Sequence, residues 1–328
     1  MIPYDFRKHM SEILSLSEHD VARLIVRAPY AYKRYFIPKK SGGMRPIAQP
    51  AKETKVIQGI LVDNLFAQLP VHECAAAYKQ GSSIKDNAER HKQNSYIAKF
   101  DFSNFFGSIT ELDLIKHLSY VLCGKLTAQS IKDIARVSCV RERSTARLAL
   151  SIGAPSSPIL SNSIMYYFDL AVEAWCEDRN IVYSRYADDL TFSTNDKGAM
   201  FDVEAFILEV LENIPYPRLQ INPEKTVYAS KKRQRRITGL IITNDNNVSL
   251  GRDKKRLISS MIHHYVQNKL DGKSILHLQG LMGFAQDIEP LFVAKMRGKY
   301  TGKIISDLLR QRGKKSSKMI FLCLAAHT

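Results

Sequence analysis

Asp188 and Asp189 are adjacent carboxylates in the tetrapeptide Tyr186-Ala187-Asp188-Asp189. Apolar and polar side chains alternate in the flanking residues 181–185 and 190–193, a period-two pattern that predicts a β-hairpin with both aspartates at its tight turn. Adjacent like charges repel, so a rigid turn tolerates them when water or a cation neutralises them. A solvated Asp-Asp turn satisfies the tetrapeptide as well. A third carboxylate shifts the weight between these readings. Residues 95–109, SYIAKFDFSNFFGSI, form an apolar run that enters Asp101. Ile97, Lys99 and Asp101 share one strand face, so Asp101 projects from the strand end, where it can join the hairpin pair. Taken singly, Asp101 reads as a strand-end or turn aspartate.

Three carboxylates on two neighbouring strands are what two Mg²⁺ ions need, because Mg²⁺ takes hard oxygen ligands. A pair of ions about 3.5–4 Å apart can activate an attacking hydroxyl and stabilise a leaving pyrophosphate.

The elements around these strands follow from periodicity. Residues 18–27 and 53–69 read as amphipathic helices, with a basic hairpin between them that turns at Ser41-Gly42-Gly43. Residues 112–135 read as an interrupted helix. Residues 161–176 read as a helix carrying Ile164, Tyr167, Phe168 and Val172 at helical spacing, a stripe taken as core against the sheet. Residues 201–214 give another helix, 227–243 strands, and 257–266, 275–284 and 304–309 a terminal helical group. Asp86 is placed to cap a helix on which Asn87 and His91 fall at i, i+4.

Composition points to a polyanionic partner. The 328-residue chain has a net charge of +16, and residues 231–328 hold 20 Lys/Arg against 6 Asp/Glu, so this segment carries +14 of it. Basic clusters recur at 231–236, 252–256, 295–303 and 310–318, as a long phosphate-binding track requires. An apolar content of 45% excludes a largely disordered chain. The longest apolar stretches, such as 319–326, are too short to span a bilayer, and the charged N-terminus is unlike a signal peptide. The chain is therefore expected to be cytoplasmic, without a membrane partner. Five cysteines, at 74, 123, 139, 176 and 323, show no CxxC or zinc spacing and are expected to be buried, reduced thiols.

The order of motifs resembles a bacterial retron-type reverse transcriptase, an RNA-directed DNA polymerase. Residues 35–50, YFIPKKSGGMRPIAQP, resemble its fingers hairpin; 101–106, motif A; 153–158, GAPSSP, motif B; 186–189, motif C; and 221–226, INPEKT, motif D. Asn87-Ala88-Glu89-Arg90-His91 is similar to the NAxxH element of retron enzymes, and Ile237-Thr238-Gly239-Leu240 to their VTGL element. The resemblance covers about residues 21–242. It implies an α+β right-hand polymerase fold, with interleaved fingers and palm over 1–242 and a basic helical, RNA-binding thumb over 243–328.

Roles follow from the same resemblance. Asp101, Asp188 and Asp189 would bind the two Mg²⁺ ions, with the Phe102 carbonyl as a further oxygen ligand. Arg45 with Lys39 or Lys40 would hold the triphosphate, and Lys225 would protonate the departing pyrophosphate. Phe106 would exclude a ribose 2′-OH, while Phe105 serves the core. Gly153 would let the backbone approach the nascent base pair. Ile152 stands where the family usually has Gln, which removes a side-chain donor from that loop. Asn87, His91, Thr238 and Gly239 would contact the family-specific RNA, and Arg252, Lys254, Lys255 and Arg256 its backbone. The substrates implied are dNTPs and a cognate structured non-coding RNA, which the enzyme primes from a guanosine 2′-OH and copies into branched, RNA-linked single-stranded DNA (msDNA). A retron effector protein in anti-phage defence and an external RNase H complete the expected partners. The alternatives are another bacterial reverse transcriptase, intron-encoded or of the abortive-infection type, and a catalytically silent RNA-binding scaffold.

Overall fold

The computed structural model describes residues 4–39 and 42–311. The chain divides into two compact units, Met1–Ser82 with Ala98–Tyr228, and Ser83–Ile97 with Ala229–Thr328. Compactness groups residues 83–97 and 229–242 with the terminal segment, a division different from the expected 1–242 and 243–328. Residues 83–97 and 229–242 share a hydrophobic core with the terminal helices, and that core decides where the boundary lies.

In the first unit the helices Phe6–Leu14, Glu18–Arg27 and Ala128–Ser138 pack together, the first tied to the third by a two-pronged Arg7–Asp133 ion pair at 2.6 and 3.1 Å. The fingers hairpin pairs Tyr32–Pro38 with Met44–Pro50, antiparallel, with Tyr35 opposite Ile47. The region expected as one interrupted helix is two, Glu111–Val121 and Ala128–Ser138. The palm sheet has four strands in the order Val182–Tyr186, Asp189–Thr194, Tyr96–Asp101, Val227–Ser230. Helices Ser157–Ile164, Tyr166–Glu177 and Val203–Asn213 belong to the same unit.

Alternation in the hairpin strands does not mean that one face meets water. Tyr183, Ser184 and Arg185 are all buried, as is Leu190 to Thr194 in the partner strand. In register, Tyr183 lies opposite Phe192 and Arg185 opposite Leu190, so the large side chains fill one face and Ser184, Thr191 and Ser193 the other. Phe192 stacks on Tyr183 at 4.9 Å and meets Phe100 edge-on at 5.8 Å, while Phe102 meets Phe105 and Phe168, each at 5.7 Å. Each such buried ring contributes about 1.5–3 kcal/mol.

The second unit contains the helix Ile84–His91, a three-stranded antiparallel sheet ordered Val248–Ser249, Leu240–Ile242, Arg235–Ile237, and helices Arg252–Val266, Gly272–Ile288, Pro290–Tyr300 and Gly302–Arg310. Ala88, Ile97, Ile237, Leu240, Ile258, Leu278 and Met282 are among its core. Ser83, not Asp86, caps the first helix; Asp86 is the reciprocal partner in a capping box. The helix Pro290–Tyr300 was not legible in the sequence, because its buried residues Phe292, Val293 and Met296 are interrupted by Lys295, Arg297 and Lys299.

Candidate active site

Backbone bonds bring the motif A strand and the hairpin tip together. The Phe102 N–H donates to the Asp188 carbonyl at 3.2 Å, and the two-residue turn between Tyr186 and Asp189 carries Ala187 in the left-handed region at φ 58. Motif D is stitched to the same strand end: the Asn222 N–H donates to the Asp101 carbonyl at 2.7 Å and the Ser103 N–H to the Gln220 carbonyl at 2.8 Å. The short helix Pro223–Lys225, capped by Asn222, then delivers the Lys225 Nζ to Asp101 Oδ1 at 2.6 Å.

Charge at this point is under-neutralised. Burial, opposed by the Lys225 hydrogen bond and reinforced by the Asp188 and Asp189 charges, pushes the Asp101 carboxyl up to about 6. Asp188 is likewise raised, first by burial and then by Asp189. Burial works against the Lys225 ammonium, but the bond to Asp101 and the surrounding carboxylates outweigh it and raise its pKa. Arg45 lies near enough to favour the Asp188 carboxylate, which places the second fingers strand beside the hairpin tip. Lys39 is exposed at the fingers turn, its N–H donating to the Gly43 carbonyl at 3.0 Å, and Lys40 lies outside the described residues.

Among the described residues no three His, Cys, Asp or Glu side chains are already gathered as ligands around one point. The donor set nevertheless fits a hard cation: the carboxyls of Asp101 and Asp188 are raised by burial and by neighbouring aspartates, and a lysine ammonium supplies a positive charge at Asp101.

Phe105 is buried and stacks on Phe102, whereas Phe106 is half-exposed and meets the Phe105 ring edge-on at 5.3 Å. Gly153, at φ 113, is accounted for by the fingers hairpin: a Cβ there would lie 3.0 Å from the Ala48 carbonyl oxygen and 3.0 Å from Ile47 Cγ2. The Ile152 carbonyl accepts from the Ala48 N–H at 2.9 Å, so this loop is bonded to the hairpin through its backbone, which any residue at position 152 can supply.

The second unit treats its motif residues differently. Asn87 and His91 are fully buried, which corrects the expectation that they touch RNA: neither offers an atom to a ligand at the surface. Burial, with Arg90, holds the His91 imidazole down at about 3. Both polar atoms of the Asn87 side chain lack a hydrogen-bond partner among the described residues. Thr238 and Gly239, at φ 45 and 82, form the two-residue turn joining Ile237 to Leu240, and the Thr238 hydroxyl donates to the Ile84 carbonyl at 3.1 Å. That bond gives a threonine reason to occupy a left-handed position. Arg252 and Arg256 are exposed, but Lys255 is ion-paired with Glu289 at 2.5 Å, and Lys254 lies 4.8 Å over the Phe284 ring.

A feature unread in the sequence lies under the hairpin tip: Arg185 and Asp169 form a fully buried ion pair at 2.6 Å. Its only sequence signal is a cation in a strand whose other large side chains are apolar.

Cys74, Cys139 and Cys176 are buried free thiols, Cys123 is a free thiol that is exposed, which corrects the expectation of burial there, and Cys323 lies outside the described residues. No helix among the described residues is long and apolar enough to cross a membrane.

Residues 37–242 match the family model "Reverse transcriptase (RNA-dependent DNA polymerase)". The chain is 39% identical over 280 residues to the Retron Ec83 reverse transcriptase of Escherichia coli, covering 84% of this chain and 89% of that protein. It is 31% identical over 293 residues to the Retron Ec73 reverse transcriptase of the same organism, covering 85% and 90%. Among solved structures, a telomerase from Candida albicans bound to a fragment of telomeric RNA matches 84% of this chain and 55% of its own length, at 15% identity and a TM-score of 0.47, a likeness too slight to bear on the assignment. Reverse transcriptases as a family use Mg²⁺, which agrees with the hard, anionic donor set at the hairpin tip. With the motif order, the sheet that joins motifs A and C and these relatives in agreement, the chain belongs to the retron reverse transcriptases, RNA-directed DNA polymerases of the right-hand fold.

Proposed function

We propose that Asp101, Asp188 and Asp189 are the catalytic carboxylates of a polymerase that binds a structured RNA of its own locus, primes from a 2′-OH within it and copies part of it into branched, RNA-linked DNA. The observation that carries the catalytic part is the junction of motifs A and C. Phe102 N–H bonds the Asp188 carbonyl, and the carboxylates of Asp101 and Asp188 are raised by burial and by the charges gathered there.

These three carboxylates, with the Phe102 carbonyl, would hold two Mg²⁺ ions, which when bound favour the deprotonated primer hydroxyl and neutralise charge on the departing pyrophosphate. The chain's own residues do the rest. Arg45, with Lys39 or Lys40, orients the triphosphate through charge-assisted bonds. Lys225 holds a proton at Nζ, beside Asp101, and donates it to the leaving group. Phe106 presents its half-exposed ring to the sugar and excludes a 2′-OH, while Phe105 anchors the turn in the core. The second unit is the basic, RNA-binding part, with Thr238, Gly239, Arg252 and Arg256 at its surface. Asn87 and His91 act behind them by fixing the helix to which Thr238 is bonded.

A retron effector protein and an external RNase H are the proposed partners, in a bacterial cytoplasm. The relatives' retron membership supports this reading. The experiment supplies the purified chain with Mg²⁺, dNTPs and a transcript of the neighbouring inverted-repeat region, without added primer. DNA joined to RNA through a 2′,5′ linkage is expected. Synthesis only from an added 3′-OH primer would contradict the priming reading.

A further inference from the structure

Arg185 immediately precedes the catalytic turn and is fully buried, a place a guanidinium occupies only when its donors are matched. Its Nε and Nη2 donate to the two oxygens of Asp169 at 2.8 and 2.6 Å, a two-pronged bond, and the Tyr183 hydroxyl donates to the same carboxylate at 2.9 Å. Nη1 is left for two other acceptors, the Ala187 carbonyl at 3.1 Å and Asn162 Oδ1 at 3.2 Å. The Arg185 backbone is clamped too, its N–H donating to the Cys74 carbonyl at 2.9 Å and its carbonyl accepting from the Ala76 N–H at 2.8 Å.

The Ala187 carbonyl belongs to the peptide that joins Ala187 to Asp188. A donor fixed on that oxygen sets the plane of the peptide from which the Asp188 side chain departs. Asn162 uses its other end as well, Nδ2 donating to the Ala77 carbonyl at 2.8 Å. The next residue, Tyr78, is close enough to the hairpin tip that, after burial, the Asp188 charge raises its phenol pKa. Asn162 lies on Ser157–Ile164, the helix that begins inside the 153–158 loop. One buried amide therefore links that helix, the Cys74–Tyr78 segment and the guanidinium under the turn.

We propose that Asn162 and Arg185 are positioning residues for DNA synthesis: anchored by Asp169, they hold the Ala187–Asp188 peptide in the orientation that aims the Asp188 carboxylate at Asp101, and they tie that orientation to the helix behind the 153–158 loop. The proposal rests on the assignment of Asp188 to catalysis. Packing alone does not account for the arrangement. An apolar pair of similar volume can replace a buried ion pair without loss of stability, but it cannot donate to the Ala187 carbonyl.

Asn162→Ala removes one acceptor and one donor and leaves the Arg185–Asp169 pair in place. Its comparison is Ile25→Ala, a cavity on the helix Glu18–Arg27, which packs against Ala128–Ser138. Both are studied by thermal melting and by single-nucleotide addition to a primed RNA template across a Mg²⁺ titration. Asn162→Ala is expected to lower kcat about 10–100-fold, as small misplacements of reacting groups do, with KM for dNTP changed less than about twofold and half-maximal activity at higher Mg²⁺. Asn162→Asp, which keeps an oxygen for Arg185, is expected to recover part of kcat. Ile25→Ala should lose Tm while kcat per folded molecule stays at the wild-type value. A kcat for Asn162→Ala no lower than that of Ile25→Ala, or an unchanged Mg²⁺ dependence, would overturn the proposal. Failure of the underlying catalytic assignment shows separately, as an Asp188→Asn enzyme that still extends primers.

Discussion

The hairpin tip around Asp188 and the helix Ile84–His91 each carry a short motif of polar residues, yet the two regions use them in opposite ways. At the tip, Asp188 is partly open and Lys225 exposed, while Asp101 is buried behind them, and both carboxyls are raised by burial and by neighbouring carboxylates. On the helix, Asn87 and His91 are sealed in a core beside Ala88, and His91 is held neutral. A polar motif can thus serve chemistry or serve the fold. Burial disfavours the charged form in both, raising the carboxyls of Asp101 and Asp188 and lowering the imidazole of His91, so the same physical cause acts on an acid at the tip and on a base in the helix.

That contrast predicts opposite responses to pH. His91 has a folded pKa of about 3, well below its unfolded value near 6.5, so the unfolded chain binds a proton that the folded chain refuses. Its contribution to stability is complete above about pH 6.5 and is lost as pH falls toward 3, amounting to about 2 kcal/mol by pH 5. Denaturant titrations of wild type and His91→Gln between pH 7 and 5 should show the steeper loss in the wild type. Parallel curves would place His91 in water-accessible surroundings.

Asp101 runs the other way. Its folded value of about 6 lies above that of an unfolded aspartate, so folding favours the protonated form and stability declines as pH rises from about 4 through 6. In metal-free protein, Asp101→Asn is therefore expected to raise Tm more at pH 8 than at pH 5. A mutant that melts lower than wild type at pH 8 would mean that the Lys225 bond outweighs burial and repulsion.

The smallest effect belongs to the basic helix Arg252–Val266. Arg252 and Arg256 are exposed, whereas Lys255 is engaged by Glu289. Neutralising Arg252 and Arg256 should lower the salt slope of RNA binding by about 0.7–0.9 per lost phosphate contact, with little change in Tm. Lys255→Gln should show the reverse, a loss of Tm with little change in slope. The same slope change in both variants would remove the distinction between surface and bracing charges.

How legible the molecule was depended on how local each feature is. The helix Glu18–Arg27, the basic hairpin and the Asp188–Asp189 turn follow from periodicity and turn chemistry over a few residues, and the sequence delivers them. The joining of residues 83–97 to the terminal helices rests on packing of Ala88 and Ile97 against residues more than a hundred positions away, which no local period encodes. Arg185 was hidden for a related reason. In sequence it is a lone cation two residues from Tyr183 on the same strand face, and only Asp169 and Asn162, brought in by the preceding helices, turn it into a buried bracket. Gly153 shows the converse, a residue visible as special in sequence whose reason is a close approach to Ala48 and Ile47 of the fingers hairpin.

The central claim is that the Asp101, Asp188 and Asp189 cluster performs the chemistry while the basic second unit binds RNA independently of it. Its most direct test is Asp188→Asn combined with Asp189→Asn, assayed by Mg²⁺-dependent primer extension and, on the same preparation, by gel shift with the RNA. The account predicts that extension is abolished while RNA affinity stays within about threefold of wild type, a change under about 1 kcal/mol. Extension at the wild-type rate would contradict the catalytic assignment, and loss of RNA binding together with extension would contradict the separation of the two roles.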